Sequence, residues 1–474
     1  MDKVLLSSRT FNLNDQQAFA DFSGDINPIH LSDVYARKTP PGQVIVHGIN
    51  SLLWALDSFQ QCSYNITYQM SVRFLQPIQL NETIYCYYIA KDKIIEISNA
   101  SVVFLRIKLS GDVYRPACEG RESIYSHQLS KLQIVELDFN QIESSQLLNF
   151  FQTADPNYVD ELYPALLEHI GGSLICQIAC LSSVVGMQVP GLHSIFASAS
   201  LDLQESSSKN SIQIVKTDRR FGLVDLKVQS SGIQSKLRTI VRPKPTQSLS
   251  LDDISKKISK HVSKRFAVGE NVLIIGGSRG LGCYVVKILA LLGASVTFTY
   301  SKGEKDAQLL KDELSNSNIS VDFLHFDIKN PDVSSLFVNH PDYIFYFPTP
   351  KIFVKRSKCF EEKLYDDFKL FYVDGFQSIL DQCFANSVKG VFYPSTVAIE
   401  ESAKDLPEYI KAKLEGEDLS DQFNGSNKAT VFVSRLPRTL TDQTTTNLSI
   451  INEDPFDVLM PILQEFFDGY SVVN

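Results

Sequence analysis

The sequence shows no excess of positive charge, no cysteine pairs at metal-binding spacing and only a single tryptophan. Lys and Arg number 45 against 54 Asp and Glu, giving a net charge of −9 and a pI near 5.5. That balance argues against nucleic acid or an anionic membrane surface as the main partner. The eight cysteines, at 62, 86, 118, 176, 180, 283, 359 and 383, are scattered. Cys176 and Cys180 stand four apart in an apolar helical pattern, with no second pair and no nearby histidines. They predict core thiols in a reducing compartment, no metal site, and the cytoplasm as the default location. No apolar run approaches the roughly 20 residues that cross a bilayer. The opening MDKVLLSSRTFNLND lacks a basic stretch followed by an apolar core, so neither a secretory signal nor a membrane span is expected.

What is present is an ordinary globular composition, 44% hydrophobic and 21% charged, over 474 residues. That length suggests about three domains. The first, 1–128, has a helical stretch around Asp15 to Phe22 and a mixed helix from Ile45 to Phe59 with Trp54 inward. The strand-like runs TYQMSVRFLQPI, ETIYCYYIAK, IIEISNA and SVVFLRIKLSG follow. One long helix and then consecutive antiparallel strands predict a sheet wrapped around that helix. Residues 129–245 repeat the order, with HIGGSLICQIACLSSVVG before four more strand-like runs. RPKPTQSLS, Arg242 to Ser250, reads as a linker, and 246–265 covers its end and a lysine-rich amphipathic helix. From 266 to 474, apolar strands alternate with helices, as in a doubly wound parallel α/β sheet.

Chemistry concentrates first in FSGDINPIH, Phe22 to His30, followed by IVHG at Ile45 to Gly48. With the strand VRFLQPIQLNETI, these residues resemble the MaoC-like hot-dog hydratases, the (R)-specific enoyl-thioester hydratases, and the reaction that resemblance implies, addition of water to a 2-enoyl thioester, needs a base and an acid on one water beside the double bond. Asp25 and His30, on a loop bent by Pro28, can turn toward one point. Asn27 would orient the pair, and Gly48, at the start of the long helix, would offer a backbone N–H to the thioester oxygen. His47 reads as a packing or supporting residue. Asp25 as a turn cap and Asn27–Pro28 as loop chemistry are the alternative for each residue alone; their coincidence with His30 and a distal His-Gly favours catalysis. The resemblance covers the whole first segment. The resemblance implies a hot-dog fold and catalysis by Asp25, His30, Asn27 and Gly48. The second segment has Glu168, His169, Gly171 and Gly172 at its helix start but no such loop. It therefore looks like a degenerate second hot dog, giving a double hot dog in one chain. In eukaryotic relatives of that kind the catalytic copy is the C-terminal one; here the loop lies in the first.

The second concentration is IGGSRGLG, Ile275 to Gly282, after an apolar strand and opening a helix. Tyr409 and Lys413 lie one helical turn apart, after the strand GVFYPST. Together these resemble the glycine loop, the Tyr-x-x-x-Lys pair and the hydroxyl strand of short-chain dehydrogenases/reductases over 266–474. The resemblance implies a phosphate cradle from Gly276, Ser278, Arg279, Gly280, Leu281 and Gly282, and Tyr409 as proton donor. Lys413 would lower the tyrosine's pKa and bind the nicotinamide ribose. The substrate-holding hydroxyl falls to Ser395, with Thr396 close behind. Ser301 and Lys302 stand where NAD enzymes carry an acid, so with Arg279 they favour NADP (as NADPH) over NAD. Asp327 resembles the adenine-contacting Asp. Two departures stand out: FYFPTP replaces Asn-Asn-Ala-Gly, and FYVDGF offers Tyr372 or nothing for the relay Asn.

The expectation is a bifunctional enzyme: NADPH-dependent reduction of a 3-oxoacyl thioester, carried on coenzyme A or a carrier protein, and (R)-specific dehydration of the product. The alternatives are a hydratase whose C-terminal domain is a non-reducing nucleotide-binding or sugar-nucleotide-modifying module, and a non-enzymatic scaffold for acyl carriers. Self-association through the reductase domain is compatible with either enzyme reading.

Overall fold

The structure, a computed structural model, describes residues 3–115, 129–203, 210–261, 266–353, 360–401, 405–425, 430–446 and 450–471. The expected boundary at 128–129 falls at the edge of residues outside this set, as do Cys118 and Cys359. The chain divides into two compact units, the first running to Lys244 and the second beginning at Pro245.

The first unit is one antiparallel sheet of ten strands. In chain order these are β1 (Lys3–Thr10), β2 (Thr67–Phe74), β3 (Thr83–Ile89), β4 (Ile94–Ser98), β5 (Val103–Val113), β6 (Leu147–Asn149), β7 (Ser194–Leu203), β8 (Ser211–Asp218), β9 (Leu223–Ser230) and β10 (Ile233–Val241). They lie in the order β1-β3-β4-β5-β2-β7-β10-β9-β8-β6. The first five and the last five follow the same internal path, meeting at the antiparallel β2–β7 seam, where Ser71 pairs with Ser200. This is the double hot dog. Each half contributes a central helix, α2 (Gly48–Gln61) and α3 (Pro164–Ser183). Strand β9 alternates buried and half-buried residues along its length, so one face of the sheet is apolar and covers the helices. Leu52, Leu53, Leu56 and Phe59 of α2 are buried, each contributing roughly 1.5–3 kcal/mol. Two polar links tie the helices: Tyr163 Oη donates to Asn50 Oδ1 at 2.9 Å, and Leu166 N–H to Asp57 Oδ1 at 2.9 Å.

The structure corrects the absence of any span-length apolar segment. The helical run Pro164–Gln188 is long and apolar enough to cross a membrane, yet 83% of its apolar window is buried in the unit. It is a core helix. Its start is also earlier than EHIGGS, with a break at Gly171 (φ 78°, ψ 151°). Five of the six described cysteines are buried.

The second unit is a parallel six-stranded sheet in the order β13-β12-β11-β14-β15-β16. Its strands are β11 (Asn271–Ile275), β12 (Ser295–Tyr300), β13 (Val321–His325), β14 (Tyr343–Tyr346), β15 (Gly390–Thr396) and β16 (Thr430–Leu436). The chain reverses direction across the sheet between β11 and β14, and clefts for ligands open at the carboxyl ends of strands at such a point. Its helices are α4 (Leu251–His261), α5 (Gly280–Leu292), α6 (Glu304–Ser315), α7 (Glu362–Lys369), α8 (Gly375–Cys383), α9 (Pro407–Asn424) and α10 (Pro455–Ser471). The end of the proline-bearing linker is anchored. Buried Lys287 on α5 donates to Ser248 Oγ at 3.0 Å and to the Leu249 carbonyl oxygen at 2.9 Å.

Candidate active sites

The Asp25 loop begins where α1 (Leu13–Ser23) is forced to end. Asn12 and Asp15 form a capping box at its start, and Gly24 ends it in the left-handed conformation with φ 73°. A Cβ on Gly24 would also lie 2.8 Å from Thr153 Cβ, so the position demands glycine twice over. The chain then turns inward, and Asp25 and Asn27 are buried at 2% and 1% exposure.

The second half of the sheet holds this loop. Ser182 on α3 donates to Asp25 Oδ2 at 2.7 Å, while the Asn27 N–H donates to Oδ1 at 3.2 Å. Asn27 Nδ2 donates to the carbonyl oxygens of Gly186 and Leu192 at 3.0 and 3.2 Å. Gly186 lies in a π-turn, Val184–Gln188, that extends α3. A Cβ there would sit 2.4 Å from Asp25 Oδ1, so only glycine leaves room for the carboxylate. Gly171 and Gly172, by contrast, stay out of the cavity that Asp25 lines.

His30 Nδ1 lies 2.8 Å from the Ile45 carbonyl oxygen and must carry its proton there, leaving Nε2 with a free lone pair in the neutral ring. The His30 ring stacks on His47 at 3.9 Å between centroids. Fully buried His47 donates from Nε2 to the Asp25 carbonyl oxygen at 3.1 Å and braces the loop from behind. Asp25, His30 and His47 bring ligand-type atoms within 4.8 Å of one another. Two of their ring nitrogens are N–H donors to carbonyls, and the two rings stack rather than converge on one point, which fits proton transfer better than a metal.

Burial pushes the Asp25 carboxyl up to about 6, against the pull of the Ser182 hydroxyl and the Asn27 N–H. Burial pushes His30 down to about 4, opposed by the Ile45 carbonyl and reinforced by the Arg242 guanidinium. Both residues line a cavity of about 260 Å³ together with Asn27, Gly48 and Ser182. Gly48 is the first residue of α2, so its N–H has no acceptor within the helix. Phe74 packs so closely that a Cβ on Gly48 would lie 3.0 Å from its ring. The cavity walls are apolar, including Phe74, Phe104, Phe196 and Ile240.

In the second unit the glycine loop joins β11 to α5. Gly276 has φ 78° and Gly280 φ 54°; a Cβ on Gly282 would lie 2.4 Å from the Gly276 carbonyl oxygen. Nothing lies within 4 Å of the side-chain direction of Gly280. Left-handed backbone, free space and the first turn of a thirteen-residue helix, with Ser278, Arg279 and Leu281 around it, suit a pyrophosphate. Ser301 and Lys302 are exposed just past β12. Asp327, half-buried, accepts the Lys329 N–H at 3.1 Å and so closes its own turn. Arg279 Nη1 is 3.2 Å from Asp442 Oδ2.

Around Tyr409 the geometry revises the expectation. The Thr396 side chain, not that of Ser395, is bonded to the Tyr409 hydroxyl. Ser395 donates instead to Glu417, because successive strand residues point to opposite faces. Lys413 is buried, donates to the Pro394 carbonyl oxygen at 2.6 Å and lies 3.9 Å from the Tyr372 ring centre. Burial pushes Lys413 down to about 7, and burial pushes Tyr409 up to about 12, with only Thr396 pulling it back. Tyr372 sits in a second π-turn, Leu370–Asp374, and its hydroxyl is 2.6 Å from Thr349 Oγ1, a residue of the FYFPTP segment.

Comparison with known proteins bears on both units. The MaoC like domain model matches residues 2–106, and the short chain dehydrogenase model matches residues 270–342. The curated proteins gave no match. Among solved structures, an oxidoreductase, yciK from E. coli, aligns at 11% identity over 43% of this chain and 91% of its own, with a TM-score of 0.38. An alcohol dehydrogenase from Thermococcus sibiricus, complexed with 5-hydroxy-NADP, aligns at 13% identity over 42% of this chain and 90% of its own, with a TM-score of 0.37. Pen from Bacillus thuringiensis aligns at 25% identity over 37% of this chain and 54% of its own, with a TM-score of 0.31. The chain thus joins a MaoC-like dehydratase domain at its amino end to a short-chain dehydrogenase domain at its carboxyl end.

Proposed function

We propose that the chain is a bifunctional enzyme of acyl-thioester metabolism, with an (R)-specific hydratase/dehydratase site at Asp25 and His30 and an NADPH-dependent 3-oxoacyl reductase site at Tyr409. The observation that carries the first half is that Asp25, His30 and the Gly48 helix start line one largely apolar cavity, where burial pushes Asp25 up to about 6 and His30 down to about 4. In dehydration, His30 Nε2 takes the C2 proton of the 3-hydroxyacyl thioester. The protonated Asp25 carboxyl gives its proton to the leaving 3-hydroxyl, which departs as water. The Gly48 N–H donates to the thioester oxygen as negative charge develops there. Hydration is the reverse. Either direction needs one proton shared by the pair, so kcat/KM is expected to be bell-shaped, with limbs near pH 4 and 6. The acyl group would be carried on coenzyme A or a carrier protein, in the cytoplasm.

In the second unit the glycine loop, Arg279, Ser301, Lys302 and Asp327 would hold NADPH, which when bound supplies the hydride. Thr396 holds the substrate oxygen and Tyr409 Oη delivers its proton. A second reading is favoured by the FYFPTP segment, whose Thr349 Oγ1 lies 2.6 Å from the Tyr372 hydroxyl where the resemblance would have Asn-Asn-Ala-Gly and a relay Asn: the unit binds a nucleotide without reducing a substrate. Two assays test these readings. Crotonyl-CoA hydration should disappear in Asp25→Asn. NADPH oxidation with acetoacetyl-CoA should disappear in Tyr409→Phe; wild-type protein that hydrates but never oxidises NADPH favours the second reading.

A further inference from the structure

The cation expected to meet the cofactor's 2′-phosphate already has a carboxylate against it. Arg279 lies at the tip of the glycine loop, and its Nη1 is 3.2 Å from Asp442 Oδ2. Asp442 belongs to the segment that follows β16, and its side chain is only 16% exposed, so the carboxylate is held rather than swinging in solvent. Its neighbours fix that segment. Gln443 Oε1 accepts the Ile352 N–H at 2.9 Å, and Gln443 Nε2 donates to the Pro350 carbonyl oxygen at 3.3 Å. Arg438 donates to the Thr444 carbonyl oxygen and to Asn452 Oδ1, both at 2.9 Å. The Thr441 N–H donates to Thr444 Oγ1 at 2.8 Å, closing a turn around Asp442. A strap from beyond β16 therefore crosses to the segment after β14 and presses one acid onto the loop arginine.

We infer that Asp442 is a specificity-determining residue for the dinucleotide: it competes with a ribose 2′-phosphate for Arg279, so the phosphate must displace the strap to bind. The inference rests on reading the second unit as a dinucleotide-binding domain. Two like charges cannot share one guanidinium without repulsion, and a partly exposed ion pair is weak enough for a dianionic phosphate to break. A cofactor with a free 2′-hydroxyl makes no such demand and leaves the strap in place. Asp442 thus narrows the preference that Arg279 and Lys302 create, and links NADPH binding to movement of residues 438–445.

The test is equilibrium binding of NADPH and NADH to the full chain, followed by cofactor fluorescence, for wild type, Asp442→Asn and Arg279→Gln. Asp442→Asn should tighten NADPH by about fivefold or more and leave NADH within about twofold. Arg279→Gln should weaken NADPH selectively. Hydrogen exchange gives a readout independent of any variant's folding: saturating NADPH should speed exchange across 438–445 in wild type, and NADH should not. Asp442→Asn that shifts both cofactors alike, or neither, overturns the inference while leaving the dinucleotide reading intact. Wild type that binds neither cofactor overturns both.

Discussion

At the scale of single residues, the hydratase site is governed by groups that oppose one another. Asp25 is held above its ordinary range by burial and pulled down by the Ser182 hydroxyl. Ser182→Ala removes a hydrogen bond to the charged form, so the alkaline limb of kcat/KM should move to higher pH; an unmoved limb would separate Ser182 from the chemistry. A carboxyl that ionises at about 6 in the folded chain and near 3.8 unfolded costs stability as pH rises through that window, and the whole cost persists at neutral pH. Asp25→Asn should therefore be more stable than wild type at pH 7.5, by on the order of 1–3 kcal/mol, and about equally stable near pH 4. Calorimetry at the two pH values checks this. In the other unit, Thr396→Val should abolish reduction, whereas Ser395→Ala should leave it within a few-fold, since only Thr396 meets Tyr409.

Elements explain why parts of this were legible and parts were not. FSGDINPIH carries Asp25, Asn27 and His30 in nine consecutive residues, and Gly48 announces itself at a helix start. Ser182 and Gly186 do not, because they reach the site through the pairing of two halves whose sequences share no motif. The apolar helix that holds them is visible; its π-turn, Val184–Gln188, is not, since no residue pattern specifies one extra backbone position. The choice between Ser395 and Thr396 required the facing of β15, which a run as uniformly buried as GVFYPST does not disclose. Strands β1 and β6 escaped the sequence reading, and so did α10, whose Phe456, Leu459, Leu463 and Phe466 are buried. Gly186→Ala tests the π-turn: its Cβ would take the space of the carboxylate, and hydratase activity should fall a hundredfold or more, while the overpacking costs about 1–3 kcal/mol of stability. Retained activity would mean that Asp25 can move aside.

For the whole molecule, the second hot dog without a catalytic loop is not idle, for it supplies the wall and the hydrogen bonds that a lone first half would lack. The second unit carries its glycine loop and Tyr409 on a parallel sheet of its own. The claim that the two sites perform consecutive steps is tested most directly by giving the wild type acetoacetyl-CoA and NADPH and following acyl products by mass spectrometry. Wild type should pass 3-hydroxybutyryl-CoA on to crotonyl-CoA, Asp25→Asn should accumulate the hydroxyacyl thioester, and Tyr409→Phe should leave acetoacetyl-CoA unreacted. Unreacted substrate in wild type, with coenzyme A and carrier-protein thioesters alike, would contradict that claim.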